Sequence, residues 1–131
     1  MSGYLGQFEL GSVSIHLQEN YWIDKMLIYS VTVSVENEIA PDWLEWMKSS
    51  HLPEVMATGC FLKYQFHRLV EPIFEPDTVT YNVLYYVESQ ARLDAYRNEH
   101  SPRLRHHVFM RYGEKTTAVR SILDIIATGE A

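Results

Sequence analysis

One arrangement of residues occurs twice in this chain. Trp43 to Gly59 reads WLEWMKSSHLPEVMATG, and Tyr96 to Gly113 reads YRNEHSPRLRHHVFMRYG. Each copy is an amphipathic run carrying an aromatic, then a His-x-Pro break, His51-Leu52-Pro53 or His100-Ser101-Pro102, then a second helical run that stops at Gly. Strand-like alternation flanks each copy on both sides, so the chain reads β-α-β twice. Two such units, each crossing over with the usual right hand, interlock into the split βαβ arrangement. The expected fold is α+β, a ferredoxin-like βαββαβ sandwich in which kinked helices lie on one face of a four-stranded antiparallel sheet.

Local patterns place the elements. In Leu27 to Val35, Tyr29, Val31, Val33 and Val35 share one face while Ser30, Thr32 and Ser34 share the other, the period of a sheet with one apolar side. Pro41 suits a first helical turn and Asp42 complements the positive helix N-terminus, so the first helix begins near Ala40. Pro53 lacks an N–H and clashes with the carbonyl four residues back, which predicts a kink or a helical restart there. The second strand spans Phe61 to Val70, and the Pro-containing run Glu71 to Asp77 turns the chain into a third, Thr78 to Val87. Ser89 is the expected N-cap of the second crossover, with Ser101 and Pro102 as a second N-cap and N1 pair inside it. The fourth strand covers Lys115 to Ile126, with Val119, Leu123 and Ile125 on one face and Arg120 opposite, on the side the helices leave open.

This assigns residues 26–127 to the domain, 128–131 to a frayed tail, and 1–25 to a weakly structured extension. Met26 directly precedes the strongest strand, which raises the expectation that translation begins there; an intact native mass spanning Met1 to Ala131 would contradict it. At 131 residues and 47% hydrophobic content the chain can bury one proper core, and disorder does not fit. The net charge of -6 lacks the basic surface that nucleic acid or anionic lipid requires, and no apolar run has secretory or transmembrane length. A single cysteine, Cys60, forms no internal disulfide and no thiolate set for a metal; a cytoplasmic setting is expected. Cys60 also follows a helix C-terminus, whose dipole disfavours a thiolate, so it reads as a buried structural thiol.

The open sheet face carries Ser30, Thr32, Ser34, Lys63, Gln65, His67, Thr80, Asn82, Leu84, Tyr86 and, on this reading, Arg120. RNA-recognition modules with this topology stack bases on aromatics of the central strands, where the first strand here offers Ser and Thr. A homodimer formed through this face is expected instead, with room for a small-molecule ligand and no nucleic-acid or membrane partner.

The LIYSVTVSV start, WLEWMKSSHLPEVMATG, the Tyr-rich third strand and EHSPRLRHHVFMRYG together resemble a family of small bacterial proteins known only as a domain of unknown function. The likeness covers Met26 to Ile126; the first 25 residues depart from that family's usual beginning. It implies a ferredoxin-like fold and no activity. At the level of fold alone the chain is similar to dimeric α/β-barrel groups such as antibiotic-biosynthesis monooxygenases, muconolactone isomerases and stress-responsive barrel domains.

Two sets of residues carry candidate chemistry. His51 and His100 hold equivalent places before the two prolines, where an imidazole either acts as a general base or satisfies carbonyls freed by the break. His67, Asn82, Tyr86 and Arg120 either converge as an anion-binding group or form a hydrogen-bonded dimer interface. The catalytic candidates are therefore His51 and His67, and the ligand-binding candidates Asn82, Tyr86, His100 and Arg120. Adjacent His106 and His107 point about 100° apart on a helix, so no metal site is expected, and no cofactor. Two functions fit: a homodimeric module binding a small molecule or a protein, or a cofactor-independent oxygenase or isomerase acting on a small carbonyl or phenolic compound. The enzyme requires a water-excluding pocket that a histidine and a hydrogen-bond donor both face.

Overall fold

The computed structural model describes residues 26–131, so the extension expected over residues 1–25 lies outside the described residues. Four strands, β1 (Leu27–Glu36), β2 (Lys63–Arg68), β3 (Thr78–Val87) and β4 (Thr116–Asp124), form one antiparallel sheet in the order β2-β3-β1-β4. Helices α1 (Ala40–Trp46) and α2 (Leu52–Ala57) make the first crossover, and α3 (Gln90–Glu99) and α4 (Ser101–Tyr112) the second. This is the ferredoxin-like α+β architecture read from the duplication. Among the described residues no helix is long and apolar enough to cross a membrane.

Alternation along β1 and β3 decides which side the helices cover. Tyr29 lies opposite Tyr85, Val31 opposite Val83 and Val33 opposite Tyr81. All of these except half-buried Val31 are buried in the core, because the helices remove this face from water. The Phe61 ring packs tilted against Tyr85 and Tyr96, with centroids 4.8 and 4.6 Å away, which locks the second crossover onto the sheet. Trp43 does the same for the first, 4.8 Å from Tyr81 and edge-on to Phe66 at 5.9 Å.

The chain's special residues set the ends of the helices. Pro41 and Asp42 occupy the first turn of α1, and the Ser89 hydroxyl accepts the N–H of Arg92 to cap α3. Gly59 (φ 74°) and Gly113 (φ 60°) end the two crossovers in backbone conformations that side chains with a Cβ resist. Ser101 is the first residue of α4 instead of its cap, and His100 takes the cap position without a side-chain bond.

The break before Pro53 takes a form that periodicity could not specify. Between α1 and α2, Met47–His51 form one π turn, and both flanking residues keep helical angles. The N–H of Leu52 reaches back to the carbonyl of Met47. Widening the turn by one residue relieves the proline clash without ending the helix, so the crossover runs through where a kink or a restart was expected.

The phase of β4 is also corrected. Arg120 pairs with Val31, Ala118 with Val33 and Ile122 with Tyr29, so Arg120 stands on the helix side of the sheet and not on the open face. Val119 and Leu123 pair with Thr32 and Ile28 and take the open face. Nearly all of β4 is exposed, so burial never imposed a pattern from which its facing could be read.

Candidate ligand cavity

The structure separates the candidate residues into two groups, one on each side of the sheet. On the open face the amide of Asn82 donates to the hydroxyls of Ser30 and Thr32, at 3.0 Å each. Its carbonyl lies 3.4 Å from Nδ1 of His67. Tyr86 belongs to the same face, with the ammonium of Lys63 4.6 Å from its ring centre. Asn82, Ser30, Thr32 and His67 thus use polar atoms on one another.

On the other side the helices and sheet enclose a cavity of about 70 Å³. Tyr29, Val31, Val33, Val83 and Tyr85 form its floor, and Trp43, Met47 and His51 close one wall. Ser101, Leu104, Arg105 and Val108 from α4 form the other, with Tyr96 at the end of α3. Thr116, Ala118 and Arg120 of β4 complete the lining. Ala118 and Arg120 are exposed, so the mouth lies along β4, where the helical layer stops short of the sheet edge.

His51 is the chemically distinctive member of this lining. It is the last residue of the π turn, and its ring stacks on Trp46 with centroids 5.1 Å apart. Among the described residues its buried Nδ1 has no hydrogen-bond partner, and it satisfies none of the carbonyls freed by the break. An unmet buried polar atom costs roughly 1–3 kcal/mol, so a folded protein retains one chiefly where something else uses it. π turns concentrate at functional sites for a related reason: the surplus residue shifts a side chain off the regular helical face.

Burial, first of all, lowers the pKa of His51 to about 4; His107 and Arg120 push in the same direction, and Glu54 opposes them. The ring is therefore neutral near pH 7. Tyr85 and Tyr96 are pushed well above the ordinary tyrosine range, chiefly by burial, and stay protonated as hydrogen-bond donors. The His51 shift makes stability depend on pH. The unfolded chain takes up this proton near pH 6.5 and the folded chain only near 4, so stability is full above 6.5 and falls by up to about 1.4 kcal/mol per pH unit between the two values. Urea unfolding from pH 7 to 4.5 should show this loss in the wild type relative to His51→Gln; parallel curves would refute it.

His100 half-caps α4 beside Tyr96, with ring centroids 6.4 Å apart, and lines no part of the cavity. Its apparent equivalence to His51 therefore ends at the sequence, because one crossover passes through a π turn and the other breaks. The cavity unites His51 with Arg120, while His67, Asn82 and Tyr86 remain on the opposite face. Sequence reasoning missed Ser101, read as a cap, and gave no part in a site to Arg105, Tyr85 or Tyr96. Only their convergence from three elements identifies them. Cys60 is a buried free thiol, as expected. Among the described residues no group of His, Cys, Asp and Glu is placed to hold a metal ion.

The family described as Domain of unknown function (DUF4286) matches residues 26–126. No curated protein matches the sequence. Among solved structures, a dimeric ferredoxin-like protein from an uncultured marine organism is similar with a TM-score of 0.53 at 14% identity, over 80% of this chain and 99% of that one. An EthD-like protein from Ralstonia eutropha gives 0.58 at 13% identity, over 79% and 95%. An ethyl tert-butyl ether D (EthD) family protein from Bacillus halodurans gives 0.56 at 12% identity, over 72% and 96%. At such identities these likenesses carry the fold alone.

Proposed function

The chain belongs to the family of the domain of unknown function DUF4286, and on that premise we propose that it is a homodimeric small-molecule binding protein whose site is the helix-side cavity. The observation that carries this reading is the buried Nδ1 of His51, without a partner among the described residues, in the lining of a cavity whose other walls are mostly apolar. Dimerisation is supported by the dimeric description of the similar marine protein, and the open face is the surface on which it would occur. It is also supported by exposed Val119 and Leu123 on that face and by exposed Ile73 and Phe74 in the loop beside Thr80. Native mass spectrometry of the protein taken from its own cells should find two chains with a retained small molecule. A bare dimer would sink the ligand half of the reading, and a bare monomer both halves.

One observation favours a second reading, a cofactor-independent enzyme of oxygenase or isomerase type acting on a small carbonyl or phenolic compound. His51 is neutral near pH 7 and borders the cavity, so its ring can accept a hydrogen bond from a bound enol or phenol, with Tyr85, Tyr96 and Arg120 available to steady an oxyanion that forms there.

A further inference from the structure

Taking the cavity as a ligand site, the charges and walls around it define the ligand's chemistry. Among the described residues its lining includes two arginines, Arg105 of α4 and Arg120 of β4, and no Asp or Glu. Among the described residues, neither arginine has an acidic partner within 4 Å. Arg120 is directly paired with Val31 of the cavity floor and is exposed, so its side chain starts beside the cavity on the open β4 edge. The charge of Arg120 also bears on His51, Tyr85 and Tyr96, three lining residues from three different elements. Further in, Trp43, Met47, Val31 and Leu104 present apolar surface, and Ser101, itself buried, offers a hydroxyl.

We propose that the cavity takes a small organic monocarboxylate, its apolar end against Trp43, Met47 and Val31 and its carboxylate at the mouth on Arg120, with Arg105 and Ser101 beside it. A guanidinium fork matches a planar carboxylate with two parallel N–H bonds, a geometry an alcohol or a lone ammonium cannot use. Apolar walls disfavour an anion without a hydrocarbon part, which would lose its hydration and gain no packing. Size sets the remaining limit. A dry cavity of about 150 Å³ holds benzene, and this one, at about 70 Å³, suits a short aliphatic tail.

Calorimetric titration of the full chain with sodium butyrate, 1-butanol and inorganic phosphate tests this, with the His51 ring protons followed by NMR in each titration. Butyrate should bind saturably and shift the His51 signals. Arg120→Met, an exchange on an exposed strand that keeps the stem, should weaken butyrate at least tenfold while leaving the thermal midpoint near the wild type. Equal binding of 1-butanol, with the same His51 shift, would keep the cavity as a ligand site and overturn the carboxylate assignment. Phosphate binding with the same His51 shift, or butyrate binding that leaves His51 unmoved, would overturn it as well. An unchanged butyrate affinity in Arg120→Met would do the same. If none of the three compounds binds or moves His51, the carboxylate assignment falls and the cavity reading loses its support with it.

Discussion

Replacing Trp43 with alanine should lower the unfolding free energy by about 3–5 kcal/mol, the largest loss expected from any single truncation in this chain. Trp43 is 1% exposed and is the side chain that fastens the first crossover to the sheet, through Tyr81 and Phe66. Truncation removes its buried apolar area and both ring contacts. It also enlarges the neighbouring cavity, which the rigid sheet floor cannot collapse to fill. Urea unfolding followed by circular dichroism measures the effect as a lower midpoint with an unchanged slope. A loss below about 1.5 kcal/mol would mean that the first crossover is held by the Leu52 and Val55 side of α2 instead.

The second large effect concerns association. Leu84 stands near the middle of the open face, between Ser30 of β1 and Gln65 of β2, and contributes nothing to the helix-side core. Leu84→Arg should leave the monomer folded and raise the dimer dissociation constant at least a hundredfold. An unpaired charge would then have to be dried in each copy, and about 2.7 kcal/mol already accounts for that factor. Sedimentation equilibrium reads it directly. A variant that dimerises as tightly as the wild type would place the interface elsewhere and leave the Asn82 network as a solvated surface.

How far the sequence reveals the protein depends on where burial enforces a pattern. β1 and β3 are the central strands, and their alternation matched the observed faces residue by residue because one face of each is buried. Pro41 and Ser89 act locally and were equally legible. β4 is an edge strand exposed on both sides, so hydrophobicity placed Val119 inward and Arg120 outward, the reverse of their pairing. The same limit governs the site. His51 stood out beside its proline, but no local signal distinguishes a π turn from a helical restart, since both relieve the same clash. Ser101, Arg105, Tyr85 and Tyr96 meet only once both crossovers have docked, and their partners in the lining are distant in the chain.

The alternation of the central strands has a consequence for how this protein can change. Along Ser30, Val31, Thr32 and Val33, successive residues belong to opposite sides of one backbone. The two sides therefore draw on separate alphabets of substitutions. With the open face as the proposed dimer interface and the cavity as the proposed ligand site, successive mutations at 30, 32, 82 and 84 retune self-association, while those at 31, 33, 83 and 120 retune what the cavity accepts. Each set can drift without erasing the other, and only an insertion or deletion in these strands, which exchanges every odd position for an even one, would force both to change at once.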